Sequence, residues 1–280
     1  MEGVSQHNTR PIVSVMMPTF NESRYVGAAV QSILGQTLGD LELIVVDDAS
    51  TDGTPDIVAS FADPRIRLIR NTSNRGPGAC RNMAIEAARA PYLALMDADD
   101  ISEPDRLEKQ LAFLETHPDV DILGTDTRWI DGRGKLIGTS KLPTNHGAIC
   151  ARPLRGFWIA HASMMLRRSV MATVGGYDTE LRRGEDYELL LRCMGRFRFG
   201  NLSEPLYTIR WLAKYKWAGL FSEIKVQTKL VAYIRRTRQP LTAYAWLLLP
   251  YIRIVLGPLT DHLVAMRVRW GTRLGWRLRR

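Results

Sequence analysis

The residues best suited to chemistry in this chain are carboxylates gathered at a few points. Asp47-Asp48 directly follows the apolar run 41–46, and Asp97-Ala98-Asp99-Asp100 directly follows the apolar run 92–96. If both runs are buried strands of one parallel sheet, both clusters emerge at its carboxyl rim, where such sheets bind ligands. Five carboxylates on one rim repel each other unless a cation or a donor-rich ligand lies among them. Hard oxygen donors at that density suit Mg2+ or Mn2+, which take a few carboxylates and leave positions for substrate phosphates. The plain alternative is that acids after strands cap turns, and Asp47-Asp48-Ala49-Ser50 also reads as a capping loop. A further acidic pair, Glu185-Asp186, stands at the start of a short helical stretch, and His161 precedes another apolar run.

The elements that must position these groups alternate in type. Residues 12–17 form a short β-branched and apolar run stopped by Pro18. Asn21 or Ser23 is placed to cap a helix in which Tyr25, Val26, Ala29, Val30, Ile33 and Leu34 recur at helical spacing. The run 41–46 carries an acid only at Glu42, as expected of a strand covered on both faces. Residues 54–62 read as a second helix, 65–70 as a third strand, 81–90 as a third helix and 92–96 as a fourth strand. Pro104 marks the start of a helix whose Leu107, Leu111 and Leu114 share one face. This order argues for an α/β fold with a largely parallel sheet and right-handed crossovers. Further on, 120–124 reads as a strand, 129–139 as a hairpin turning at Asp131-Gly132-Arg133-Gly134, 163–166 as a buried strand and 186–194 as a short helix.

Composition bounds the class. With 280 residues, 45% of them hydrophobic, the chain has apolar surface enough to offset the entropy of ordering, and its size suits one domain with an appended segment. Cys80, Cys150 and Cys193 are far apart and form no C-x-x-C pair, which favours a reducing compartment. Residues 1–14 are polar and read as no secretory signal, so the expected location is cytoplasmic. The net charge of +9 is divided unevenly: residues 210–280 hold fifteen Lys/Arg against Glu223 and Asp261, a net of +13, leaving −4 on residues 1–209. That division suggests two parts with different partners.

Several stretches together resemble the family 2 glycosyltransferases, which have the GT-A fold. Val13-Ser14-Val15-Met16-Met17-Pro18-Thr19-Phe20-Asn21-Glu22 is similar to their opening strand and loop, and Leu43-Ile44-Val45-Val46-Asp47-Asp48-Ala49-Ser50-Thr51-Asp52-Gly53-Thr54 to their second strand and nucleobase loop. Asn74-Arg75-Gly76 with Ala79-Cys80-Arg81-Asn82 resembles the segment before the metal strand, Leu95-Met96-Asp97-Ala98-Asp99-Asp100 the metal motif, and Arg183-Gly184-Glu185-Asp186-Tyr187 the late Glu-Asp motif. The matches run in order through about residues 12–195. Phe20 departs from the usual Tyr, which keeps the stacking face and loses a hydroxyl.

The resemblance implies an inverting, metal-dependent enzyme that moves a sugar from a nucleotide-sugar donor, with a UDP-sugar expected, to a glycan or lipid-linked acceptor. The fold it implies is a mixed, mainly parallel sheet between helices. Pro18, Thr19, Phe20, Glu22, Asp48 and Arg81 would line the nucleotide site together with Asp97 and Ala98. Asp48 would read the nucleobase edge, Asp99 would be the direct metal ligand for Mg2+ or Mn2+, and Asp97 would contact metal, ribose or sugar. Asp100 would instead cap the following loop. Asp186, at a helix start where the dipole favours an ionised carboxylate, would be the general base, with Glu185 tuning it and His161 supporting the site. Arg81 has a plainer reading as the partner of Glu86, and His161 as a hydrogen-bonded structural residue. Arg152, Arg155, Arg182 and Arg183 fall on the expected acceptor side.

Other classes fit less well. Gly76-x-Gly78 before a helix suggests a dinucleotide loop, but Pro77 removes an N–H from the cradle and Arg81 replaces the third glycine. No P-loop occurs, and the first strand lacks the Asp pair of an aspartyl-phosphate enzyme. A sugar nucleotidyltransferase would need a Gly-rich N-terminal loop. A non-catalytic nucleotide-sugar or glycan-binding protein of the same fold would be expected to have lost Asp99 or Asp186, and both are present. The domain reading is a catalytic part over 1–209 and a basic, aromatic-rich helical extension over 210–280. In the extension, Pro250 and Arg253 interrupt the apolar stretch 241–259, which disfavours a spanning helix. Trp211, Trp217, Trp246, Trp270 and Trp276 among many arginines suit helices lying on an anionic membrane surface, peripheral to the inner face of the cell membrane. A helical cap packed on the catalytic part is the alternative. No nucleic-acid module is visible, so no nucleic-acid partner is expected.

Overall fold

A computed structural model of the chain describes residues 10–151 and 158–211. Arg152, Arg155 and the extension past residue 211, with its stretch 241–259, lie outside the described residues. In chain order the elements are β1 (Val13–Thr19), α1 (Val26–Leu34), β2 (Leu41–Asp47), α2 (Thr54–Ser60), β3 (Ile66–Arg70), α3 (Pro77–Ala87), β4 (Tyr92–Leu95) and β5 (Ile101–Ser102). There follow α4 (Arg106–Thr116), β6 (Ile122–Ile130), β7 (Leu136–Thr139), α5 (His146–Ile149), β8 (Met165–Arg167), α6 (Arg168–Val174), α7 (Glu185–Cys193) and β9 (Phe199–Arg210).

Among the described residues the strands form one mixed sheet in the order β3-β2-β1-β4-β8-β6-β9-β5, with β7 beside β6. The first four run parallel, β8 is antiparallel to both its neighbours, and β9 is parallel to β6. Alternation along the buried strands feeds two cores. Val13, Val15, Met17, Leu43 and Val45 pack with α1 and α4, while Met16, Ile44 and Val46 pack with α3, α6 and α7. Each aliphatic side chain fully buried in this way contributes about 1.5–3 kcal/mol, so an acid on such a strand needs compensation. Glu42 has it: Ser14 Oγ, the Arg89 N–H and the Arg67 and Arg89 guanidinium groups all donate to its carboxylate. Burial alone would raise its pKa; these bonds outweigh burial and lower it.

Local differences from the sequence reading have physical causes. Helix α3 begins at Pro77, four residues before the expected start, because proline at a first helical position sacrifices no needed N–H and Gly76, at φ 92°, makes the turn into it. Neither Asn21 nor Ser23 caps α1, whose N-cap is Tyr25 without a side-chain bond. Instead Asn21 adopts φ 55° and its side chain accepts the Thr51 N–H. Strand β6 fuses the expected strand over 120–124 with the first arm of the hairpin. Strand β9, for which the sequence offered no element, is a twelve-residue strand, and the expected boundary after Ile209 falls inside it. No helix among the described residues is long and apolar enough to cross a membrane.

Candidate active site

The loops that follow β1 and β2 are stitched together by their own polar groups. The Asn21 N–H donates to Ser50 Oγ at 2.9 Å, the Glu22 N–H to Thr54 Oγ1 at 2.9 Å and the Ser23 N–H to Asp52 Oδ2 at 3.1 Å. Although its slight burial works the other way, bonds from Thr54 and Ser23 bring the Asp52 pKa down to about 2. Asp48 is buried and held on three sides: Asn71 Nδ2, the Arg75 N–H and the Gly76 N–H each donate to its carboxylate at 2.8 Å. Burial alone would raise its pKa; these donors lower it, so the carboxylate stays ionised. Around this floor stand Pro18, level with Val46, and Phe20, which is 42% exposed. Thr19 lies level with Asp47, and Thr19 Oγ1 and Asp47 Oδ1 are buried without a protein partner. The other Asp47 oxygen accepts the Ser50 N–H, the turn-capping role that the sequence offered for it.

The second acidic cluster is a tight turn off β4, closed by the Asp100 N–H donating to the Asp97 carbonyl at 3.2 Å. Asp97 and Asp99 are half-buried, while Ala98 and Asp100 are buried. Burial first, and then the negative charges of Asp97 and Asp99, push the Asp100 carboxyl up to about 8. That crowding is the repulsion anticipated for the rim, concentrated here on three residues, since Asp47 and Asp48 are tied down elsewhere. Among the described residues no three His, Cys, Asp or Glu side chains could hold an ion by themselves. Two carboxylates, Asp97 and Asp99, on a loop with surplus negative charge do fit Mg2+ or Mn2+, which characteristically complete their octahedron with water and substrate phosphates.

One buried arginine joins this turn to the late acidic pair. Arg81, on α3, donates from Nη2 to Asp97 Oδ1 at 3.1 Å and from Nη1 to Glu185 Oε1 at 2.7 Å. Its guanidinium lies 5.5 Å from the centre of the Tyr177 ring. Burial opposes its charge, but Asp97, Tyr177, Glu185 and Asp186 together keep it firmly cationic. Glu86, the partner in the plainer reading of Arg81, is not the one it takes. Burial raises the Glu185 pKa, Arg81 opposes the rise and the neighbouring Asp186 adds to it. Tyr177 Oη in turn meets His161 Nε2 at 2.9 Å. Burial, followed by the Arg81 charge, lowers His161 to about 4, against the pull of Asp186 and Asp97. The imidazole is therefore neutral near pH 7. Asp186 opens α7, with the Tyr187 N–H on its Oδ1 at 2.8 Å.

The structure thus brings Arg81, Asp97, His161, Glu185 and Asp186 into one electrostatic cluster. Asp99 stands on the same turn as Asp97, and Pro18, Thr19, Phe20, Glu22 and Asp48 lie on adjoining strand ends of the same rim. Arg182 turns toward the Gly76 loop instead, donating to Asn74 Oδ1 at 2.7 Å. Two residues of this arrangement were not among the site residues expected from the sequence: Tyr177, which lies between Arg81 and His161, and Asn82, which grips the Tyr177 backbone on both sides, accepting its N–H and donating to its carbonyl. Arg81-Asn82 stands out in the sequence, but nothing in a single sequence ties it to Tyr177 and Glu185, about a hundred positions away.

Comparison with known proteins bears on this geometry. The sequence model for glycosyl transferase family 2 matches residues 14–174. EpsE of Bacillus subtilis (strain 168), whose name places it among glycosyltransferases, is 37% identical over 254 residues, covering 88% of this chain and 90% of that protein. Among solved structures, Staphylococcus aureus TarS 1-349 in complex with UDP-GlcNAc superimposes with a TM-score of 0.63 at 22% identity, over 78% of this chain and 66% of that one. The mannosyltransferase PcManGT from Pyrobaculum calidifontis, in complex with GDP-Man and Mn2+, gives 0.58 at 22% identity, over 86% and 70%. At that identity the two structures speak to the fold alone.

Proposed function

Since this chain belongs to glycosyl transferase family 2 and carries the GT-A fold, we propose that it moves a sugar, with inversion, from a nucleotide-sugar donor to a hydroxyl of a glycan or lipid-linked acceptor. The expected donor is a UDP-sugar, and the expected setting is synthesis of a cell-surface polysaccharide or glycoconjugate at the inner membrane face. The observation that carries this reading is the bridge made by Arg81, which links the turn bearing Asp97 and Asp99 to the helix bearing Glu185 and Asp186.

In this reading the nucleoside occupies the floor between the β1 and β2 loops. Phe20 stacks on the base, and Asp48, already fixed by three N–H donors, offers its remaining acceptor capacity to the base edge. Pro18, Thr19 and Glu22 shape the wall, and the diphosphate lies over Asp97, Ala98 and Asp99. A divalent ion held by Asp99 and Asp97 with the phosphates would neutralise the charge that develops on the departing diphosphate. Arg81 holds Asp97 on one side and Glu185 on the other, fixing the donor half against the acceptor half. Asp186 takes the proton from the acceptor hydroxyl as that oxygen attacks the anomeric carbon on the face opposite the leaving group. Neutral His161, bonded to Tyr177, presents an uncharged polar edge to the sugar pocket.

The test is a screen of nucleotide-sugars for metal-dependent hydrolysis and for thermal stabilisation. Asp99→Ala should lose the metal-dependent hydrolysis. Asp186→Asn should keep donor binding and lose about 10²–10⁴-fold in turnover, the usual scale for a positioned base. Hydrolysis that persists in both variants would sink the assigned roles. Donor binding without turnover in the unaltered protein would instead favour a binding protein built on the same fold.

A further inference from the structure

A second set of groups, distinct from those of the donor floor and the Arg81 bridge, fastens the Asp97–Asp100 turn. Tyr207, fully buried on β9, accepts the Asp97 N–H on its Oη at 3.0 Å and hydrogen-bonds to the Asp100 carboxylate. Three residues on, the Arg210 N–H donates to Asp100 Oδ1 at 2.7 Å, and Arg210 Nε donates to the Asp99 carbonyl at 3.0 Å. The Arg210 guanidinium also lies 4.5 Å from the centre of the Tyr25 ring, beside the nucleoside loop. Behind Tyr207 is Arg106 of α4, completely buried, with its guanidinium 5.1 Å from the Tyr207 ring centre and Nη1 donating to the Leu95 carbonyl at 3.1 Å.

Arg106 is an unusual choice for the interior. Its Nε and Nη2 find no protein acceptor, and a buried cation held by one carbonyl and one ring face is costly. Burial lowers its pKa to about 10, still well above neutrality, while Tyr207 and Asp100 favour the charge. A leucine or methionine would fill the same volume without that cost, so packing alone does not account for it. Its position does: it stands beneath a turn that carries three carboxylates, at the carbonyl where β4 ends. Taken together, Leu95, Asp97, Asp99 and Asp100 are each anchored through backbone or carboxylate by Arg106, Tyr207 or Arg210. The Asp97 carboxylate is held from the other side by Arg81.

We infer that Tyr207 and Arg210, backed by Arg106, form a brace that sets the spacing of the Asp97 and Asp99 carboxylates for a cation carrying a nucleoside diphosphate. They are positioning residues, and their role rests on the donor site proposed above. The bonds from Tyr207 fall on the turn itself, so the brace acts on the cation-dependent part of binding, which separates it from general structural support.

The experiment is titration calorimetry of the full chain with UDP, with and without Mn2+. Tyr207→Phe keeps the ring and removes the oxygen that accepts the Asp97 N–H. Loosening a residue that positions a metal ligand weakens the ion's hold by about 10–100-fold, so UDP affinity in Mn2+ should fall roughly tenfold or more, while affinity without Mn2+ stays as in the wild type. Arg210→Lys, at a less buried position, keeps its main-chain bond to Asp100 and loses the Nε bond to Asp99; it should show the same selective loss and serves if Tyr207→Phe does not fold. Phe20→Ala should weaken both titrations equally. Loss of equal size with and without Mn2+ in Tyr207→Phe or Arg210→Lys, or no loss in either condition, overturns the brace. Absence of UDP binding by the wild type under both conditions overturns the donor site itself, and the brace with it.

Discussion

At the residue scale, the candidate site is governed by how few of its charged groups are left to solvent. Arg81 is the clearest case, since removing it strands Glu185 in the interior. Arg81→Met should destabilise the fold by about 3–5 kcal/mol, the usual cost of breaking a buried pair from one side. The double variant Arg81→Met/Glu185→Gln should recover part of that loss in urea unfolding; no recovery would mean that Glu185 is not the stranded group. His161 gives a pH signature of definite sign. Its pKa of about 4 in the folded protein lies below the ordinary value near 6.5, so between those values the unfolded chain takes up a proton that the folded chain refuses. Stability conferred by neutral His161 is therefore complete above about pH 6.5 and is lost as pH falls toward 4. Urea midpoints measured at pH 7 and pH 5 should fall less in His161→Gln than in the wild type; parallel falls would remove His161 as the cause. Residue identities in both acidic clusters were legible in the sequence because each follows a buried strand directly. What was not legible is which carboxylates are already committed. Asp48 spends most of its acceptor capacity on Asn71, Arg75 and Gly76, and those bonds depend on a loop whose path no periodicity records.

At the element scale, the parallel half of the sheet was readable because its strands are short apolar runs separated by helices of proper spacing, and β1, β2 and β4 emerge where the runs lie. The far half was not. Strand β9 holds Asn201, Ser203, Glu204 and Pro205 in its interior, a composition that opposes a strand reading. It is accommodated by irregularities opposite Thr125–Thr127 on β6, where the pairing shifts register and the proline loses nothing essential. The same pairing explains Gly124. A Cβ there would overlap Asn201 Oδ1 and come within 2.6 Å of Ile159 Cγ1, whereas Asn201 is already committed to the Pro143 and Trp158 carbonyls at 2.8 Å each. Gly124→Ala should accordingly cost about 1–3 kcal/mol, as overpacking does. A thermal melt no lower than that of the wild type would show that the β6–β9 contact yields more easily than its hydrogen bonds suggest.

At the scale of the whole molecule, charge divides the chain into a mildly acidic part and a strongly basic one. The structure adds that the acidic part must run at least through Arg210, because that residue completes β9 and holds Asp99 and Asp100. A membrane role for the basic extension predicts that the full chain sediments with vesicles containing phosphatidylglycerol at low salt, not with purely zwitterionic vesicles, and that high salt releases it. Equal binding to both vesicle types, or none to either, would return the extension to the reading of a packed helical cap. The placement of β9 also fixes a sequence of events during synthesis. A ribosome that has delivered the chain as far as α7 has already supplied both acidic motifs and every strand of the parallel half. The turn that carries Asp97 and Asp99 still lacks its fastenings from Tyr207 and Arg210, which arrive only when β9 is made. Until then a nascent chain carries the aspartates without the side chains that fasten their turn.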